Sequence, residues 1–396
     1  MRKIKIRDAG YVFNGNSINA KVKKEKYCSG KAGLPYIATK DLTFKGEFDF
    51  QNGVQIPLAE LDKFKIAKQE SVLICAEGGS AGKKIGFLSK NVCFGNKLFA
   101  FEPSKEIKGK YVYYYFLSKE FQKDFKGNLK GIIGGVSLKK FKQLEIPIIP
   151  LDRQNRIVSK LDKAFEAIDQ AIENTEKNIE NVEELFQNTR HEILSATKED
   201  WKIQPLREVC VVERGSSPRP IKKFLTDDDD GVNWIKIGDT KNVNKYIFHT
   251  NQKITKEGAE KSRRVDSGDF ILSNSMSYGK PYIMKTTGYI HDGWFKLKLL
   301  EFIDSEYMYH LLSSKNVVEQ FHNLANGSVV KNISGDLVKK VLLPIPPKEE
   351  QLKITVDLDT LEKHINELKS KYEEKLSNLQ KLKMSILEKA FKGELI

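Results

Sequence analysis

The segment IPIIPLDRQNRIVSKLD (146–162) recurs 197 residues later as LPIPPKEEQLKITVDLD (343–359). In that register Pro147 meets Pro344, Ile148 meets Ile345, and Pro150 meets Pro347. Gln154, Ile157, Leu161 and Asp162 then meet Gln351, Ile354, Leu358 and Asp359. Proline fixes φ and lacks an N–H, so it suits the end of an extended run and the first turn of a helix. Each junction therefore reads as a globular segment ending and a helix beginning. The likeness reaches backward, from VSLKKFKQLEIP (136–147) to ISGDLVKKVLLP (333–344). It includes LPYIATKDL (34–42) with VNWIKIGDT (232–240), and SVLICAEGGSAGK (71–83) with DFILSNSMSYGK (269–280). Gly15-Asn16-Ser17 likewise mirrors Gly215-Ser216-Ser217. A repeat of this length dictates the architecture before any element is assigned. The expected divisions are a globular segment at 1–150, a helix at 151–197, a second globular segment at 198–347 and a second helix at 348–396.

Both short segments carry heptads. In the first, Leu161, Ile168, Thr175, Val182 and Thr189 form one track; Phe165, Ile172, Ile179, Phe186 and Ile193 form the other. In the second, Leu358, Ile365, Tyr372, Leu379 and Ile386 form one track. Ile354, Leu361, Leu368, Lys375, Leu382 and Lys389 form the second track. Apolar residues held at a 3.5 period over more than four heptads predict coiled coil rather than two surface helices. About 45 residues at ~1.5 Å each give a rod of roughly 65–70 Å. The two rods are expected to pair antiparallel, giving a pseudo-two-fold chain. These tracks align best at an offset of 193, which predicts a first helix longer by four residues, about one turn. The globular segments mix strand-like runs (SVLICA, KIGFLS, DFILSN, FKLKLLEF) with helical ones (111–125 and 305–324). There is no regular β–α–β alternation, so the expected class is α+β, a mixed α/β fold.

Charge is partitioned with the repeat. The chain carries 67 Lys+Arg against 53 Asp+Glu, a net +14. Residues 1–150 hold 28 basic and 14 acidic residues, and 198–347 hold 23 and 19. The helical segments hold 6 against 10 and 10 against 10. A polyanion-binding surface on the globular segments accounts for that distribution; a general solubility surface accounts only for its sign. Hydrophobic residues make up 40% of the chain, and no run of 18 apolar residues occurs. The start MRKIKIRDAG lacks an apolar signal core. Four cysteines without metal-like spacing fit a reduced, cytoplasmic protein with core thiols.

Catalytic patterns are missing. EGGSAGKK (77–84) is one residue short between its glycines for a phosphate loop, and Lys84 stands where a magnesium-binding hydroxyl belongs. A turn offering backbone N–H groups with Lys83 or Lys280 to phosphates suits both copies better. The six histidines form no zinc pair, and Asp227–Asp230 read as a solvated acidic loop. No Gly-x-Ser-x-Gly elbow and no Asn-Pro-Pro-aromatic stretch occurs. No catalytic residue and no metal site is expected. The loops NSINAKVKK (16–24) and GSSPRPIKK (215–223) instead place amide, hydroxyl and cationic donors at equivalent points. The expected DNA contacts are Asn16, Ser17, Lys21, Lys23, Lys24, Lys40, Ser80, Lys83 and Lys84 in the first copy. In the second they are Ser216, Ser217, Arg219, Lys222, Lys223, Lys236, Ser277, Tyr278 and Lys280. A coiled-coil adaptor whose basic domains bind acidic proteins is the alternative at this stage.

VERGSSPRP, NWIKIGDT, SGDFILSNSMSYGK and the two domain-to-helix passages together resemble the specificity (S) subunit of type I restriction–modification systems. The resemblance covers nearly the whole chain. It implies a non-catalytic reader in which each globular segment is a target recognition domain for half of a bipartite double-stranded DNA site. The helices would set the spacing and dock two methyltransferase (M) subunits. Restriction/translocase (R) subunits would complete the complex. S-adenosylmethionine, ATP and Mg would sit on those partners and no cofactor on this chain.

Overall fold

The structure, a computed structural model, describes residues 2–28, 32–130, 134–196, 198–241, 243–274, 279–325 and 333–395. It divides into two compact units, Met1–Thr175 with Glu374–Ile396, and Glu176–Glu373. Each unit thus holds one globular segment and a stretch of both long helices.

The first unit contains a sheet ordered Gly10–Asn14, Leu98–Pro103, Val72–Cys75, Ile85–Phe87. A second sheet is ordered Gln55–Pro57, Gly33–Ile37, Val92–Phe94, Ile66–Ala67. The second unit repeats both. Cys210–Arg214, Trp294–Leu299, Phe270–Ser273 and Pro281–Met284 form the first sheet, extended by Tyr246–Ile247. The other runs Leu225–Thr226, Gln252–Ile254, Val232–Ile235, Gly288–Ile290, Arg263–Val265. A parallel pairing recurs in this sheet, Tyr36 beside Cys93 and Trp234 beside Tyr289. The α+β mixture matches the sequence reading. The strands are apolar on both faces, as in Val72–Cys75 and Phe270–Ser273, because sheet and helices cover them from opposite sides. Cys75, Cys93 and Cys210 are buried thiols, and only Cys28 is exposed.

Each expected domain helix is two. Gly109–Leu117 stops at Ser118, whose hydroxyl accepts from Phe121 N–H and starts Lys119–Gly127. In the second unit Ser305–Leu312 and Lys315–Ala325 divide at the corresponding serine, Ser314. Apolar periodicity runs through both breaks; the Ser118 cap marks the first, and the Ser314 hydroxyl donates to the Leu311 carbonyl at the second.

The long helices run Leu151–Ser195 and Lys348–Lys392, 45 residues each. They begin and end at the junction offset of 197, so the extra turn expected in the first helix is absent. The reason is the seam. In the first helix Leu161, Phe165, Ile168, Val182 and Phe186 are buried, and Ile172, Ile179 and Ile193 half-buried. In the second, Ile354, Leu358 and Ile365 are buried, and Leu361, Tyr372, Leu379 and Ile386 half-buried. Leu368 and Leu382, however, are 38% and 48% exposed. Their track passes instead through Glu362, Lys369, Leu376, Lys383 and Ala390. Lys383 reaches Asp169 at 2.5 Å and lies over the Phe165 ring at 4.6 Å. Lys369 reaches Glu183 at 2.7 Å. Lysine stems cover apolar surface while their ammonium groups meet carboxylates, so a hydrophobicity count picks the wrong neighbour at these two turns. Within the first unit, Lys383 faces Asp169 while the Leu395 carbonyl accepts from Lys160. Partner numbers rise as the first helix is followed backward, so the helices there are antiparallel.

The repeated glutamine locks helix to domain. Gln154 is fully buried; its Nε2 donates to the carbonyls of Glu106 and Ile149, and its Oε1 accepts from Lys108 N–H. Gln351 does the same with Phe302, Pro346 and Asp304. Tyr111 donates to the Pro147 carbonyl and Tyr307 to that of Pro344.

One contact at the junction differs between copies. The Tyr114 hydroxyl donates to Asp162, whereas His310 Nε2 meets Asp359 Oδ1 at 2.8 Å. Lys245 and Glu306 complete the second cluster, with Lys245 3.2 Å from Asp359. Burial holds His310 below the ordinary imidazole range, outweighing the Asp359 carboxylate. Burial also pushes Asp359 up, but His310 and Lys245 outweigh it and keep that carboxyl low. Below about pH 6.5 the unfolded histidine takes up a proton that the folded one resists, so stability falls as pH drops through that value. Asp359 adds a further loss in the carboxylate range. Trp201, Trp234 and Trp294 all lie in the second unit, so tryptophan fluorescence follows it alone. We expect its melting temperature to fall between pH 7 and pH 5.5, and His310→Tyr, the first copy's choice, to flatten that fall. An unchanged slope in the variant would remove His310 as the cause.

Candidate nucleic-acid interface

In both units the expected loop leaves the same strand through a glycine. A Cβ on Gly15 would lie 2.0 Å from the Phe94 carbonyl oxygen, and one on Gly215 2.1 Å from that of His291. Only glycine permits this approach. The next N–H groups continue the tether, Asn16 to the Phe94 carbonyl at 2.9 Å and Ser216 to that of Ile290 at 3.2 Å. The chain then departs into the basic segments.

In the first loop, Asn16 serves the scaffold. Its Oδ1 accepts from Lys65 N–H at 2.8 Å and its Nδ2 donates to the Lys63 carbonyl at 3.4 Å. Asn19, not singled out from sequence, caps the following turn by accepting from Lys21 N–H. Ser17, Lys21 and Lys24 are exposed and Lys23 half-buried. In the second loop, Ser217 donates to Asp292 Oδ1 at 2.6 Å, and this bond holds the Asp292 carboxyl low. Arg219, its side chain 84% exposed, reaches the other oxygen at 3.9 Å. Ser216 is half-buried; Lys222 and Lys223 are exposed on the short helix Ile221–Lys223.

The glycine-rich turn corrects the sequence reading. The N–H groups of Gly78, Ala81, Gly82, Lys83 and Lys84 all bond to carbonyls of the chain, so they are not offered outward. Gly82 and Gly279 have positive φ, +70 and +80, and pack where a Cβ would strike Phe125 or Phe321 at 2.6 Å. The shared glycine answers helix packing. Lys84 is half-buried, donating to the Thr39 carbonyl at 2.9 Å. Ser80 is half-buried, and Lys83 and Lys280 are exposed. Ser277 and Tyr278 lie outside the described residues. Lys40 is exposed beside Asp41. Lys236 is half-buried, its N–H bonded to Asp239 Oδ2 at 2.8 Å.

Sequence reasoning missed a second row of cations. Lys65 precedes the strand Ile66–Ala67, and its ammonium meets Asn14 Oδ1 at 3.0 Å beside the first loop. Arg263 starts the corresponding strand Arg263–Val265; its Nε donates to the Arg214 carbonyl at 2.6 Å and its Nη1 to Glu213 at 2.9 Å. The signal was present, as DKFKI (62–66) and KSRRV (261–265) both enter a strand on basic residues. Asp227–Asp230 are exposed, as expected. Among the described residues no helix is long and apolar enough to cross a membrane.

The family model for the type I restriction modification DNA specificity domain matches residues 1–183 and again 198–378. The MjaVIII type I restriction enzyme specificity subunit of Methanocaldococcus jannaschii is 25% identical over 378 residues, 89% of this chain and 84% of that one. The MjaIX specificity subunit of the same organism is 26% identical over 179 residues, 44% of this chain and only 41% of that relative. Among solved structures, a chain from work on complex assembly and conformational transition of the type I R-M system matches with a TM-score of 0.80. It is 16% identical, with 100% of this chain and 98% of that one covered. The HsdS subunit from Thermoanaerobacter tengcongensis matches at 0.59, 18% identical, covering 100% and 97%.

Proposed function

The chain belongs to the type I restriction modification DNA specificity family, and from that premise we propose that each unit reads one half of a bipartite double-stranded DNA target. The observation that carries this reading is the pair of glycine-pinned loops leaving the same strand in both copies. Exposed Lys21, Lys24, Arg219, Lys222 and Lys223 supply phosphate contacts. Lys40, Lys83 and Lys280 extend them; Ser17 and Ser216 offer hydroxyls to base edges. Asn16, Lys84 and Ser217 position the loops from inside.

The chain supplies recognition and leaves chemistry to others. Two M subunits dock on the paired helices and bring S-adenosylmethionine for adenine methylation; R subunits bring ATP- and Mg-dependent translocation and cleavage. The complex works in the cytoplasm, where its DNA lies.

Charge reversal at Lys222 and Lys223 together is expected to weaken specific DNA binding by at least about tenfold and to lower the salt slope by roughly two. Binding titrations across a salt series check this, and an unchanged slope excludes the loop from the contact surface. Co-expression with M subunits, followed by mapping of methylated adenines, tests the whole reading. A split motif that depends on this chain is the expected result.

A further inference from the structure

The helix seam is filled in the first unit and hollow in the second. In the first, Leu387 and Phe165 are 1% and 7% exposed within one apolar core. At the repeat offset, those places in the second unit belong to Arg190 and Glu362. Both line a cavity of about 840 Å³, together with Phe186, Tyr309, Lys280 and Lys369.

Arg190 is only 6% exposed. Its Nη2 donates to Gln187 and to the Ser313 carbonyl, but its buried Nε has no acceptor. Among the described residues no carboxylate pairs with it. The carboxylates that share the cavity wall are Glu183 and Glu362. Glu183 holds Lys369 at 2.7 Å, and burial pushes the Glu362 carboxyl up. A buried guanidinium without a counter-anion is strongly unfavourable, and its planar fork matches phosphate oxygens. The guanidinium also lies over the Phe186 ring at 5.2 Å.

We propose that this cavity binds a small organic phosphate of mononucleotide type, with Arg190 as its oxyanion ligand. Lys280 and Lys369 add positive charge at the wall. The volume exceeds what an inorganic phosphate needs, and Phe186 and Tyr309 offer faces to a planar base. Such a ligand joins both long helices to the helix Ser305–Leu312 of the second unit, so its binding stabilises that unit. The inference rests on Arg190, which lies on neither basic loop; Lys280 is the one residue it shares with the DNA reading.

The test uses the full chain without DNA, at constant ionic strength, with tryptophan fluorescence reporting melting of the second unit. AMP at about 10 mM is expected to raise the melting temperature by several degrees, and inorganic phosphate by less. Arg190→Leu, the residue type the first copy uses, should abolish the rise while melting no lower than the unliganded parent. Lys280→Gln, an exposed change at the wall, should weaken AMP binding by roughly threefold in calorimetry. The Lys222→Glu, Lys223→Glu variant should keep the AMP response. No response in the parent, a response retained in Arg190→Leu, or one lost with the loop lysines would each overturn the proposal.

Discussion

Leucine in place of Gln351 is expected to lower the stability of the second unit by about 2–4 kcal/mol, because one buried and two part-buried backbone groups lose their partner, at ~1–3 kcal/mol for a fully buried group and less where water can reach. The side chain is fully buried, accepting from Asp304 N–H at 2.8 Å and donating to the Pro346 and Phe302 carbonyls at 2.9 and 3.1 Å. Leucine nearly matches the volume, so the loss is one of hydrogen bonding rather than packing. Denaturant titration followed by tryptophan fluorescence reads the effect directly. The equivalent change, Gln154→Leu, falls in the first unit and should leave that fluorescence transition in place while destabilising the chain by circular dichroism. A cost below ~1 kcal/mol for Gln351→Leu would mean that water replaces the amide, and the lock would lose its energetic role.

Removing one heptad from each long helix, residues 173–179 and 373–379, should shorten the separation of the two half-sites by about three base pairs. Seven residues at ~1.5 Å make roughly 10 Å, and B-DNA rises 3.4 Å per base pair. The two deletions preserve the Lys383–Asp169 pair of the first unit and the Lys369–Glu183 pair of the second. A heptad is close to two turns, so the helix faces keep their phase to within ~20°. Methylated-adenine mapping should then return both half-sites unchanged at the shorter distance. Deleting only Glu176–Ile179 from the first helix would leave the helices unequal, and we expect it to weaken assembly with M subunits. Unaltered spacing after the paired deletion would show that the helices do not measure the target.

Much of this was legible in the chain itself. The repeat declared two similar domains and two helices, since proline junctions and heptads are local signals that do not depend on distant contacts. Gln154 and Gln351 stood out by recurrence, and the structure supplied their reason. Charge partition placed the basic surface on the globular segments for the same kind of reason: it follows from counting.

The seam and the loops needed tertiary structure. Leu368 and Leu382 outscore Lys369 and Lys383 by hydrophobicity, but the lysines win because each finds a carboxylate across the seam. The track through those lysines lies at the same offset of 197 as the helix ends. Asn16 looks like a DNA donor until Lys63 and Lys65, almost fifty residues away, take both ends of its amide. The glycine-rich turn looks like an anion nest until the N–H groups of Gly78, Ala81, Gly82, Lys83 and Lys84 close on carbonyls of the chain. Arg190 looks like an ordinary surface residue of a helix until the second domain buries it. Sequence alone determined the repeat, the proline junctions and the two long helices, because these rest on local periodicity. Only the tertiary structure decided which polar groups remain open to a partner, because a hydrogen bond made across the fold removes a donor that composition still counts.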